Sequence, residues 1–159
     1  MESVAIWLIL IDGLNKGKVA LQKRTEKDGD KLQSFPYILQ PTWNGKLEQG
    51  ENIQEAIKRE AKEELGVNFK VPEGIRLFYT SEYEFKGALS KSYNFSSPVL
   101  EQEINVIKLH SGAESKFIFV SKDDLSKIKI CGEHGVDARK DWVLFKDQYE
   151  ALKKLFEIY

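Results

Sequence analysis

GKLEQGENIQEAIKREAKEELGV, running from Gly45 to Val67, decides how the chain is read. Asn52 is a good N-cap, and Glu55 three positions later completes a box-like start. The pattern predicts a helix from there to about Leu65, stopped by Gly66. On a wheel stepped by roughly 100° per residue, Ile53, Ala56, Ile57, Ala61 and Leu65 form a broad apolar sector. Glu55, Lys58, Arg59 and Lys62 fall mostly on the opposite side. Glu60 and Glu64 fall inside the apolar sector, and Glu63 lies at its edge. The spacings i, i+3 and i, i+4 make all three carboxylates neighbours.

Like charges at this spacing repel, and they repel more strongly once desolvated. Protonation relieves the repulsion, and so does a cation between the heads. Clustered oxygen ligands suit Mg²⁺, with Mn²⁺ as the alternative, and such ions commonly share substrate phosphates. The blander reading is a solvated acidic face. It fits poorly, because the cationic side of this helix is the natural solvent face. The stretch therefore points to a divalent-metal site and to a reaction on phosphates.

Outward from the helix, the elements alternate between strands and turns. Val4 to Ile11 reads as a short, continuous, buried strand. Asp12-Gly13 with Asn15 to Gly17 marks a turn, and Lys18 to Lys23 resumes as the second strand of a hairpin. Thr25 to Ser34 is a polar loop, Tyr37 to Gln40 a short strand, and Gly45 to Glu51 a glycine-bounded loop. Arg76 to Phe85, Ser92 to Leu100, Ile104 to Leu109 and Lys116 to Val120 are further strand candidates. Ser121 with Asp124 caps a short helix around Leu125. Phe145, Tyr149, Leu152 and Phe156 recur at helical spacing, which predicts an amphipathic terminal helix whose stripe belongs to the core. The order predicts a mixed sheet with helices packed against it, in one α+β or layered α/β domain over residues 1–159.

Composition narrows the partners. The 159 residues are 42% hydrophobic and 31% charged, as in an ordinary globular domain. A net charge of −1 gives no general pull toward nucleic acid or an anionic membrane. Contact with a polyanionic ligand must therefore be local or metal-mediated. The apolar run Val4–Ile11 is too short to span a bilayer, and it has neither the basic leader nor the cleavage site of a signal peptide. The single Cys131 cannot form an internal disulfide, and a cytoplasmic protein is expected. His110 and His134 have no ligand-like partners in spacing.

The Gly45–Val67 segment resembles the signature of the Nudix hydrolases, the MutT-like family. Gly45, Glu51, Arg59, Glu60, Ala61, Glu63, Glu64, Gly66 and Val67 occupy its defining positions. The likeness extends more loosely to Leu21-Gln22-Lys23-Arg24 and to Phe119–Leu125. Ala61 departs from the usual Ile, Leu or Val. Asn44 stands where many members carry a second glycine.

The resemblance implies a mixed β-sheet sandwiched between helices. It also implies Mg²⁺-dependent cleavage of a nucleoside diphosphate linked to another moiety. That substrate would be a nucleoside triphosphate, a dinucleoside polyphosphate, ADP-ribose or a nucleotide sugar. Glu60, Glu63 and Glu64 would hold the metal, with the carbonyl of Gly45 as a further donor. Arg59 would orient the acids and Glu51 would pair with Arg59. Glu60 or Glu64 is the first choice of general base, with Glu114 and Glu103 as distant candidates. Arg24 and Lys46 are candidates for phosphate contact, as is Lys23, and Tyr83 for stacking on a base. Two other readings compete. An isomerase on the same scaffold, similar to isopentenyl-diphosphate isomerase, needs a cysteine before the motif, and Cys131 comes after it. A non-catalytic nucleotide-binding module would have eroded acids, and these three are intact. Homodimerisation is left open.

Overall fold

β1 (Glu2–Leu10) is the axis of the molecule in the computed structural model, which describes residues 1–107, 109 and 117–159. Every residue of β1 from Val4 onward is buried, because both faces of the strand are covered. The remaining elements follow in order: β2 (Val19–Lys23), β3 (Lys27–Asp28), β4 (Lys31–Leu32), β5 (Leu39–Gln40), β6 (Trp43–Lys46) and α1 (Ile53–Leu65). Then come β7 (Arg76–Phe85), β8 (Ala88–Val99), α2 (Glu101–Asn105), β9 (Phe117–Val120), a 3₁₀ turn (Lys122–Lys127), β10 (Ile128–Ile130), β11 (Trp142–Leu144) and α3 (Lys146–Ile158).

Alternate residues of β1 serve two cores, as the period of a strand requires. Val4, Ile6, Leu8 and Leu10 pack with Ala56, Ile57, Ala61 and Leu65 of α1 and with Ile104 of α2. Ala5, Trp7 and Ile9 pack with Ala151, Leu152, Leu155 and Phe156 of α3. The result is a mixed sheet between helical layers. β8 runs parallel to β1 along its whole length, and a strand covered on both faces with a parallel neighbour reads as a continuous apolar run.

The other edge of β1 is shared. β2 pairs with it at Leu8 and Ile9, whereas β6 pairs with it from Ser3 to Ile6. The chain from β5 to β6 thus crosses from β2 to β1 where those two strands part. Thr42 sits at the crossing, fully buried. Its hydroxyl donates to the Ala20 carbonyl at 2.6 Å and accepts the Leu8 N–H at 2.9 Å, so one side chain ties both arms of the fork.

The structure revises several sequence readings. Gly45, expected in a loop, lies in β6 opposite Val4, because the pairing of β6 with β1 runs unbroken from Trp43 to Lys46. The loop Thr25–Ser34 contains the small β3–β4 hairpin. Ile104 is not in a strand. It faces the core from α2, a short helix started by the Glu103 carboxylate, which accepts the Leu100 N–H at 2.7 Å. The hairpin strand expected from Ser92 begins earlier, at Ala88. The turn after Ser121 is a 3₁₀ helix, and Asp124 accepts from both the N–H and the hydroxyl of Ser121. β10 and β11 form a parallel pair too short to register as a pattern. His110, Glu114 and Lys116 lie outside the described residues. Among the described residues, no helix is long and apolar enough to cross a membrane.

Candidate active site

α1 is fixed at its start by Asn52, whose side chain accepts the Glu55 N–H at 2.9 Å and donates to the Glu55 carboxylate at 2.8 Å. Trp43 docks the helix onto β6: its indole N–H donates to the Ile57 carbonyl at 3.0 Å. These anchors set the acid-bearing face of α1 against the fork of the sheet.

Gly45 is required by that close approach. A Cβ at position 45 would overlap the carboxyl group of Glu60. Glu60 is thus seated against bare backbone, and burial raises its pKa while Arg59 opposes the shift.

Arg59 gathers the loop and two of the acids. Its Nε and Nη2 donate to the two oxygens of Glu51 at 2.7 and 2.9 Å, a bidentate pair. Nη2 also donates to the Lys46 carbonyl at 2.9 Å. Nη1 reaches Glu60 at 2.7 Å and Glu63 at 3.3 Å. The Arg59 hydrogen bond holds the Glu51 carboxyl down at about 2, and the same bond raises the pKa of the guanidinium.

Glu64 is placed differently. One oxygen accepts the Asn44 N–H at 3.1 Å and the other accepts from Gln22 Nε2 at 3.2 Å. Among the described residues, no lysine or arginine forms an ion pair with it. Burial pushes its carboxyl up to about 8, with the Glu60 and Glu63 charges adding to the rise. A carboxylate so placed sits beside too little positive charge.

The donors fit a hard divalent cation in kind, being all oxygen: three carboxylates crowded on one helix face, with the Gly45 backbone beside Glu60. Among the described residues, Arg59 alone serves Glu51, Glu60 and Glu63, which leaves the cluster short of positive charge. Among the described residues, no three acid, histidine or cysteine side chains already converge on one point. Glu60 and Glu63 are instead turned onto Arg59.

Beside Glu64 opens a polar cavity of ≈ 110 Å³, lined by Gln22, Lys23, Arg24, Asp28, Gln33, Gln40 and Glu64. Arg24 is held by Gln40, to which its Nε donates at 3.2 Å, and by the Ser34 carbonyl, to which Nη1 donates at 2.7 Å. Burial lowers its pKa, while the Glu64 charge acts to raise it.

Other sequence candidates lie apart. Lys46 is exposed and offers the cluster its carbonyl. Tyr83 is half-buried on β7, paired with Ser90, and lines neither the cavity nor the acid cluster. Glu103 caps α2. Gln22, Thr42 and the Asn44 N–H join the site only through partners far away in sequence, and the one local signal is a polar residue buried after the apolar run Val19–Leu21.

A family model described as NUDIX domain matches residues 1–155. No curated protein matches the chain in sequence. Its fold is similar to that of a MutT protein from Methanosarcina mazei Go1, with 18% identity and a TM-score of 0.63 over 99% of this chain and 93% of that one. It is similar to the NUDIX domain of Shewanella oneidensis NrtR complexed with ADP ribose, at 11% identity, TM-score 0.62, and 100% and 88% coverage. A C. elegans Ap4A hydrolase in a binary complex shares 16% identity, with a TM-score of 0.59 and coverage of 99% and 96%.

Proposed function

Since the chain belongs to the NUDIX domain family, whose members are hydrolases of pyrophosphate bonds, we propose that it is a Mg²⁺-dependent pyrophosphohydrolase acting on a nucleoside diphosphate linked to another moiety. The observation that carries this reading is the placement of Glu64. Its carboxyl is buried, raised to about 8, and without an ion-pair partner among the described residues, beside Glu60 seated on Gly45. Such a site is stabilised by a cation that brings its own phosphate ligand.

Glu60, Glu63 and Glu64 would hold the metal, with the Gly45 carbonyl as a further donor. Bound there, Mg²⁺ (or Mn²⁺) supplies charge neutralisation at the diphosphate and a lowered pKa for the attacking water. Water attack on phosphorus breaks the P–O–P link and releases two phosphate-bearing products. Glu60 or Glu64 takes the proton of that water. Arg59, held by Glu51, keeps Glu60 and Glu63 in place. The cavity beside Glu64 receives the phosphate or the group beyond it, with Arg24 as its oriented cation. Lys46 would meet phosphate at the rim. The lone Cys131 suits a reducing, cytoplasmic setting.

The test is a screen of the purified protein with and without Mg²⁺. Nucleoside triphosphates, dinucleoside polyphosphates, ADP-ribose and nucleotide sugars are the substrates. We expect metal-dependent cleavage of at least one class, and a loss of about 10²-fold or more in kcat for Glu63→Gln or Glu64→Gln. Absence of turnover on every class, or wild-type rates in both variants, would refute the reading.

A further inference from the structure

β2 runs Val19-Ala20-Leu21 and then buries a polar side chain, Gln22, which is 7% exposed. A buried amide needs partners for its two N–H donors. Both are used. Nε2 donates to the Thr42 carbonyl at 2.7 Å and to Glu64 at 3.2 Å. Thr42 cannot move to release it, because its hydroxyl is tied to β1 and β2 at once. The second oxygen of Glu64 accepts the Asn44 N–H at 3.1 Å. The carboxylate is therefore gripped at both oxygens, from β2 and from β6, by donors anchored to the fork of the sheet.

An amide suits this task better than the alternatives. It carries no charge to compete with a cation, unlike lysine. It does not repel Glu64, as a glutamate would. A leucine would leave the Thr42 carbonyl unpaired and free Glu64 to rotate. We infer that Gln22 is a positioning residue for the hydrolytic reaction: it holds the Glu64 carboxylate in the single orientation that serves the diphosphate. This inference rests on the hydrolase reading.

A double-mutant cycle tests it, with Gln22→Leu and Glu64→Gln singly and together. Two quantities are read: steady-state kinetics on the best substrate of the screen, and Mg²⁺ affinity by calorimetry. Gln22→Leu is expected to lower kcat by about 10–100-fold with KM changed by less than about threefold, and to weaken Mg²⁺ binding by about 10-fold. In the Glu64→Gln background the same change is expected to cost nothing further in either quantity. Gln22→His, whose ring nitrogen can donate to Glu64, is expected to restore part of kcat. If Gln22→Leu does not fold, Gln22→Ala takes its place in the cycle, since water can then reach the Thr42 carbonyl. Wild-type kcat in the single variant overturns the inference. So does an equal further loss in the Glu64→Gln background, which is the mark of a merely structural residue. If the wild type cleaves no diphosphate compound, the hydrolase reading falls, and the Mg²⁺ cycle alone decides on Gln22. Equal Mg²⁺ affinities for wild type and Gln22→Leu then overturn it.

Discussion

Glu64 carries the largest electrostatic cost in the described structure, and that cost makes a prediction about the metal-free protein. Its carboxyl is raised from 4.5 to about 8 in the fold. Below about 4.5 the group is protonated whether the chain is folded or not, so it does not penalise folding. As pH rises from 4.5 to about 8, the unfolded chain sheds its proton and the folded one retains it, so stability falls. Glu64→Gln removes this penalty. At pH 8, without metal, the variant should melt roughly 5 °C or more above wild type, and at pH 4.5 the two should nearly coincide. Scanning calorimetry at the two pH values checks this. A constant difference would mean that burial of the charge is not the cause. Gly45 makes a second residue-scale case. Gly45→Ala drives a methyl group into the Glu60 carboxyl, so we expect a loss of activity of about 10-fold or more, together with a lower melting temperature. Unchanged kinetics would show that Glu60 can vacate the seat freely.

At the scale of elements, α1 is the part that local sequence determines best. Its start depends on Asn52 and its reciprocal bonds with Glu55. Asn52→Ala should cost about 1 kcal/mol in urea unfolding while leaving kcat within about twofold, since no acid of the cluster moves. A loss under a few tenths would mean that Trp43 and the Gly45–Glu60 seat fix the helix without its cap. The same locality explains what the sequence revealed. The helix boundaries, β1, β7 and the terminal helix carry their signals within a few residues of themselves. β3, β4, β10 and β11 are two or three residues each, too few for a period to show. Ile104 looked like a strand residue because its side chain is β-branched and apolar, yet the cap from Glu103 and packing on the α1 side outweigh that weak preference. In the site, the acids, Arg59 and Glu51 lay in one motif and were legible together. The hydrogen bonds of Gln22 and Thr42 join strands remote in sequence, so only the fold brings them to Glu64.

At the scale of the whole molecule, β1 separates a core that supports the site from a core that does not. Leu65 follows Glu64 directly and packs with Val4, Ile6 and Leu8 under α1. Leu152 is equally buried, but on the opposite face, where Trp7 and Ile9 meet α3. Both substitutions to alanine open a cavity and should cost about 2–5 kcal/mol of stability. Their effects on the site should differ. Leu152→Ala leaves α1 seated, so under conditions where it is folded it should keep Mg²⁺ affinity and kcat within about twofold of wild type. Leu65→Ala loosens the last turn of α1, the turn that aims Glu63 and Glu64, and misplacement by about 1 Å can cost on the order of 10²-fold in rate. Denaturant unfolding and steady-state kinetics on the two variants side by side provide the measurement. Equal kinetic losses at equal destabilisation would show that the sheet transmits strain between its faces. In that case, the rigidity of the acid cluster would belong to the whole domain rather than to the α1 layer.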